Sequence, residues 1–165
     1  MKLFRSLAAA LLLLFAAGPA FAQDQEVGDW GIYTNETNCS AIAPFGDSTM
    51  VWVGYSVKDD RATMMIMDSK VFADVSDGVP IDAKLAFVRG EQLVDEWMNL
   101  SVTGAVLDNG AKGVLIRAPG DAFLKTMATS QFLGLLRGSE AVISVKTGEV
   151  GNVVSALRAC AAKIK

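Results

Sequence analysis

The stretch Gly148-Glu-Val-Gly-Asn-Val-Val-Ser-Ala-Leu-Arg-Ala-Cys-Ala-Ala-Lys-Ile-Lys165 decides how this chain is closed. Val153, Leu157 and Cys160 recur at i, i+4 and i+7, which is one face of an α-helix. Asn152 is a candidate N-cap, because its side-chain oxygen can accept from the orphan N–H groups of a first turn. Lys163 and Lys165 stand where the negative end of a helix dipole favours cations. Cys160 falls on the apolar face, and the chain holds one other cysteine, Cys39. The reading is a sheet laid down from Trp30 onward and closed by this helix, with a Cys39–Cys160 disulfide joining the two.

The N-terminus supplies the compartment in which such a bond would form. Lys2 and Arg5 precede an apolar run from Leu7 to Ala17, Gly18-Pro19 ends it, and Ala20-Phe21-Ala22 gives a small-x-small pattern. This is the layout of a signal peptide cleaved between Ala22 and Gln23. The run falls short of the roughly 20 apolar residues a membrane span needs. Residues 1–22 are read as the leader and 23–165 as a single globular domain, periplasmic or secreted, with no membrane insertion after cleavage. In an exported chain two cysteines ordinarily pair. Closing so long a loop would stabilise the fold by about 4–5 kcal/mol in the chain-entropy model.

The 165 residues carry 15 Lys and Arg against 18 Asp and Glu, a net charge of −3. Loss of Lys2 and Arg5 with the leader makes the remainder more acidic. With no basic run, nucleic acid is not an expected partner, since phosphate binding rests on clustered cations. A hydrophobic fraction of 52% is too high for a disordered chain.

Between the leader and the closing helix the pattern is that of short strands. Gln23 to Gly28 is polar and reads as a frayed end. Asp29 to Tyr33 reads as a first strand, and Cys39 to Ala43 as a second stopped by Pro44. Met50 to Val57 alternates, with Val51, Val53, Tyr55 and Val57 on one face and Met50, Trp52, Gly54 and Ser56 on the other. Ala62 to Met67 returns as its hairpin partner after the charged turn Lys58 to Arg61. Ile81 to Phe87 alternates, Trp97 to Val106 reads as one strand, and Asp108-Asn109-Gly110 is a tight turn into Val114 to Arg117. Asp121 can cap a helix lined by Phe123, Leu124 and Met127, Gln131 to Leu136 fits helix or strand, and Ala141 to Lys146 alternates. Many hairpin-linked strands with two helices predict an α+β fold, mostly antiparallel, as a sandwich or partly open barrel with one internal and one C-terminal helix.

The absences narrow the chemistry. The chain has no histidine, which removes Ser-His and Cys-His nucleophiles and most zinc sites. No phosphate-binding glycine loop occurs, and no metal or cofactor is expected. Asp59-Asp60 and Asp95-Glu96 are adjacent acids, but neighbours on a strand point to opposite faces, so neither makes a glycosidase pair. A carboxylate enzyme acting on envelope glycans would need acids from distant segments, such as Asp82 and Glu96. Met64, Met65 and Met67 suggest soft-metal binding, since thioethers suit Cu(I). A strand puts Met65 and Met67 on one face and Met64 on the other, and core filling is the expected role. Trp52 shares its face with Met50 and needs a second layer or a partner to cover it.

Gly28-Asp29-Trp30, Cys39 about ten residues later, and the closing Gly151-Asn-Val-Val-Ser-Ala-Leu-Arg-Ala-Cys160 resemble the invasion-associated locus B family of small exported alphaproteobacterial proteins. The resemblance implies an envelope or surface location and, for the family's named member, a contribution to host-cell entry. It implies no catalytic residues. The expectation is a non-enzymatic protein that works by protein contact at the envelope or host interface, through an apolar patch near Trp52 and Phe45. The alternatives are an inhibitor of a hydrolase presenting the Asn35 to Ser40 loop, and the glycan hydrolase already described.

Overall fold

The structure is a computed structural model that describes residues 23–35, 37–148 and 150–164. The expected leader and its expected cleavage point after Ala22 lie outside the described residues, and so does Lys165. The chain begins with five strands in an antiparallel meander: β1 (Gln23–Val27), β2 (Trp30–Thr34), β3 (Cys39–Phe45), β4 (Thr49–Ser56) and β5 (Arg61–Met67). After an irregular stretch come β6 (Lys84–Arg89), β7 (Gln92–Trp97), β8 (Ser101–Val106) and β9 (Lys112–Pro119). Helix α1 (Gly120–Thr129), strands β10 (Phe132–Arg137) and β11 (Glu140–Lys146), and helix α2 (Gly151–Ala161) complete it.

Two antiparallel sheets result. The seven-stranded sheet has the order β1-β2-β3-β4-β5-β9-β8, and the four-stranded sheet the order β11-β10-β6-β7. The α+β sandwich is therefore as expected, and neither sheet closes into a barrel. Helix α2 packs on β1 to β4, and α1 touches β5 and β9 of one sheet and β6 and β7 of the other. One cluster of buried side chains joins both sheets and both helices, with Val53, Ile66 and Ile116 from the large sheet, Leu85 and Leu135 from the small one, and Phe123 and Leu157 from the helices. Phe123 meets Phe87 and Trp97 edge-on, at 5.6 and 5.7 Å between ring centroids.

Several expected elements are corrected. Gln23 to Val27 is not frayed: it pairs with β2 across a two-residue turn in which Gly28 adopts φ +60°. A side chain is strained in that region, so glycine is the natural residue there. Pro44 does not end β3, which runs on to Phe45. Pro44 pairs only with Met50 on β4, beyond the last residue bonded to β2, so its missing N–H costs no ladder bond on that side. Val57 is exposed in the turn after β4 instead of on the core face. The expected single strand from Trp97 to Val106 is two. The chain leaves the small sheet at Trp97 and enters the large one at Ser101, with the part-buried Leu100 between.

Neither helix is capped as expected. Asn152 lies inside the first turn of α2, whose N-cap residue, Val150, makes no side-chain cap. Asp121 lies inside the first turn of α1, and its N–H is capped instead by Oδ1 of Asp60 at 2.8 Å. Asp60 holds φ +43°, and its carbonyl also accepts from Gly120 N–H at 2.8 Å. A Cβ at Gly120 would stand 2.8 Å from Asp60 Oδ1 and from the Tyr55 ring, so this junction requires glycine.

Two ties hold the closing helix. Cys39 and Cys160 form the expected disulfide, with Cα atoms 6.0 Å apart and a sequence separation of 121. Arg158 pairs with Asp121 at 2.6 Å, which links α2 to α1. A buried carboxylate secures the end of β5. Asp68 accepts hydrogen bonds from the Ser48 and Thr49 hydroxyls at 2.7 and 2.8 Å and from the N–H groups of Lys70 and Val71. Burial alone would raise its pKa, but these four donors outweigh it and hold the carboxyl at about 2 against an ordinary 3.8.

Candidate functional site

The face of the large sheet turned away from the helices is the most distinctive surface. Side chains alternate along each strand, so on β4 Val51, Val53 and Tyr55 are buried while Met50 is exposed and Trp52 half-buried. The antiparallel register carries this across the sheet. Ile42 pairs with Trp52, Trp52 with Met65, Met65 with Leu115, and Leu115 with Thr103. The result is one continuous row from β3 to β8 in which each member is part-exposed.

The rows on either side differ in chemistry. One holds Tyr33, Ser40, Gly54, Thr63, Arg117 and Ser101. Arg61 and Arg117 lie diagonally across β5 and β9 on this side, are exposed, and make no ion pair among the described residues. The other row holds Met50 opposite Met67, with Met67 opposite Gly113. The face is thus cationic at one end, aromatic and aliphatic in the middle, and thioether-rich at the other.

Trp52 and Tyr33 lie along the sheet over glycines. A Cβ at Gly54 would stand 2.5 Å from Cη2 of Trp52, and one at Gly31 would stand 2.8 Å from the Tyr33 ring. Glycine at these two positions lets a large ring settle flat on the strand, which explains why Trp52 is half-buried without a second layer over it. The expected patch around Trp52 and Phe45 is corrected here. Phe45 sits on the opposite face, where it meets Trp30 edge-on at 5.7 Å.

Trp30 and Phe45 instead line a hollow of about 380 Å³ with Asp29, Lys146, Thr147 and Asn152. Gly28-Asp29-Trp30 therefore acts structurally, as a hairpin turn followed by a core anchor with Trp30 only 3% exposed.

The adjacent acids Asp95 and Glu96 are both occupied. Glu96 pairs with Lys84 at 2.7 Å. Asp95 accepts from Trp97 Nε1 at 2.8 Å and from the Thr126 hydroxyl at 3.2 Å. Asp82 lines a different hollow from the one lined by Asp95 and Glu96, so the distant pair is not brought across one cleft there. Asp60, Asp121 and Arg158 gather near Tyr55, whose hydroxyl is pushed up by burial, then by Asp60 and Asp121. These groups cap and clamp helices, as described above. No group of three or more His, Cys, Asp or Glu among the described residues could hold a metal ion.

The loop between β2 and β3 is pinned by one side chain. Asn35 Oδ1 accepts from the N–H groups of Thr37 and Asn38 at 2.9 and 2.8 Å, and its Nδ2 donates to Asn38 Oδ1 at 2.8 Å. Cys39 and its disulfide follow directly.

Sequence reasoning placed Trp52 on the uncovered face. It put Met65 and Met67 on one face but did not join that face to Trp52, and it expected core filling of Met65, which is part-exposed. Met64 and Met67 are buried, at 1% and 9% exposure, and only Met65 of the three is part-exposed. The signal was available in the alternation, but which side the helices cover is not written in β5. No family model, no curated protein and no solved structure matches this chain.

Proposed function

We propose that this is a non-enzymatic protein of the cell envelope or its exterior that works by protein contact through the outer face of the large sheet. One observation carries the reading: the part-exposed row Ile42-Trp52-Met65-Leu115 crosses four strands on the side away from both helices. Soluble proteins rarely leave so continuous an apolar strip without a use, and rigid aromatic anchors dominate contact energies. Arg61 and Arg117 at one end, without an ion pair among the described residues, point to a partner segment that is apolar and carries carboxylates alongside. The leader, the long-range disulfide and the likeness to the invasion-associated locus B family support the location. Among the described residues no helix is long and apolar enough to cross a membrane.

The test is site-specific photocrosslinking in intact cells, with the crosslinking residue at position 115 and, as a control, at Ser144 on the small sheet. The expected result is a discrete adduct from 115 alone that disappears when Arg61→Glu and Arg117→Glu are added. Equal adducts at both positions, or none at 115, would overturn the reading.

A further inference from the structure

We propose that Met50, Met65 and Met67, together with Trp52, form a binding site for one soft monovalent cation, Cu(I) or Ag(I), at one end of the outer face. Thioethers are neutral soft donors, and among metal ions they select Cu(I) and its heavier congener over hard cations.

The register brings the donors together. Met50 and Met67 are direct partners on β4 and β5, and Trp52 and Met65 are the next partners on the same face. Side chains directly opposite in an antiparallel pair start with Cβ atoms about 4.5–5.5 Å apart. Unbranched methionine side chains, with three rotatable bonds each, can swing three sulfurs onto one point from such neighbouring positions. The face of the Trp52 indole adds an attraction of its own for a cation held close to it.

Exposure grades the donors as a site needs. Met50 is 47% exposed and gives entry, Met65 is half-buried, and Met67 is 9% exposed and held in place. Core filling accounts for Met64 and Met127, at 1% and 2%, but not for the exposed Met50 and the part-exposed Met65 on the face without helices. Competing soft donors are few. The chain has no histidine, and both cysteines are in the disulfide, so no free thiol remains.

The site shares Trp52 and Met65 with the contact face proposed above, but the two are tested separately, because the cation is read on the isolated protein and the contact by crosslinking in cells. The experiment titrates Ag(I), as nitrate in chloride-free buffer, into the disulfide-bonded chain lacking its leader. Native mass spectrometry gives stoichiometry and tryptophan emission gives affinity. One Ag(I) per chain is expected, with a change in emission. Met50→Leu and Met67→Leu should each weaken binding about tenfold or more, and the triple variant with Met65→Leu should abolish it. Leucine is close to methionine in volume, so these variants should keep the fold, which circular dichroism checks. Trp52→Phe should retain a bound cation and lose most of the emission change. Met98→Leu should change nothing, since Met98 lies between β7 and β8, outside this face, and is 64% exposed. Absence of one-to-one binding at micromolar Ag(I), binding that survives in the triple variant, or an unaltered emission change in Trp52→Phe would overturn the proposal.

Discussion

Strands β4 and β5 present two faces made from the same residues in alternation, and the two have opposite fates. Toward the helices stand Val51, Val53, Met64 and Ile66, each 1% exposed or less. Away from them stand Met50, Trp52, Met65 and Met67, nearly as apolar but covered by neither helix. The inner face is sealed because α2 packs over β1 to β4 and α1 over β5. On the outer face Trp52 is laid over Gly54, and neither helix covers it. Hydrophobicity alone thus does not separate core from surface here; the docking of two helices does.

The sharpest way to break this contrast is to release the inner cover. Replacing both Cys39 and Cys160 with alanine should lower unfolding stability by about 4 kcal/mol, read by urea titration, because the cross-link restricts a long loop in the unfolded chain. A loss below about 1 kcal/mol would mean that α2 is held by packing and the Arg158–Asp121 pair alone.

A smaller effect compares neighbours in one strand. Ile66→Ala should cost about 3 kcal/mol, as expected for a buried side chain that leaves a cavity. Met65→Ala should cost below about 1 kcal/mol, since its surroundings are part-solvated. Equal costs in urea titration would show that the outer face is packed as tightly as the core.

The smallest effect concerns the shield itself. Gly54→Ala puts a Cβ where the end of the Trp52 ring lies and should cost about 1 kcal/mol, with the ring displaced and its emission red-shifted. In a Trp52→Leu background the same substitution should become nearly neutral. A cost that persists there would place the strain in the backbone, not under the ring.

Much of the fold was legible. Period-two alternation marked β4 and β5, Asp108-Asn109-Gly110 marked the turn between β8 and β9, and Val153, Leu157 and Cys160 marked the buried side of α2. These features are local, so a short window of sequence contains their cause. What was missed depends on distant segments. β1 is too polar to read as a strand alone and is ordered by pairing with β2. The switch of sheets between Trp97 and Ser101 leaves an apolar pattern unbroken, because both halves bury side chains in the same core. The cap of α1 comes from Asp60, some sixty residues away, where no local motif could announce it.

The candidate site divides in the same way. Trp52 on the face opposite Val51 and Val53 followed from parity. That Met65 and Met67 join it, that Leu115 extends the row, and that Arg61 and Arg117 stand together needed the register of three strands.

The chain by itself determined two-sided strands, a closing helix and the pairing of its only two cysteines. Each follows from spacing or from count. Tertiary structure alone decided which side of those strands became the core. An apolar face is buried only where another element reaches it, and α1 and α2 reach one side of the large sheet. The other side keeps its row of Ile42, Trp52, Met65 and Leu115 partly in solvent.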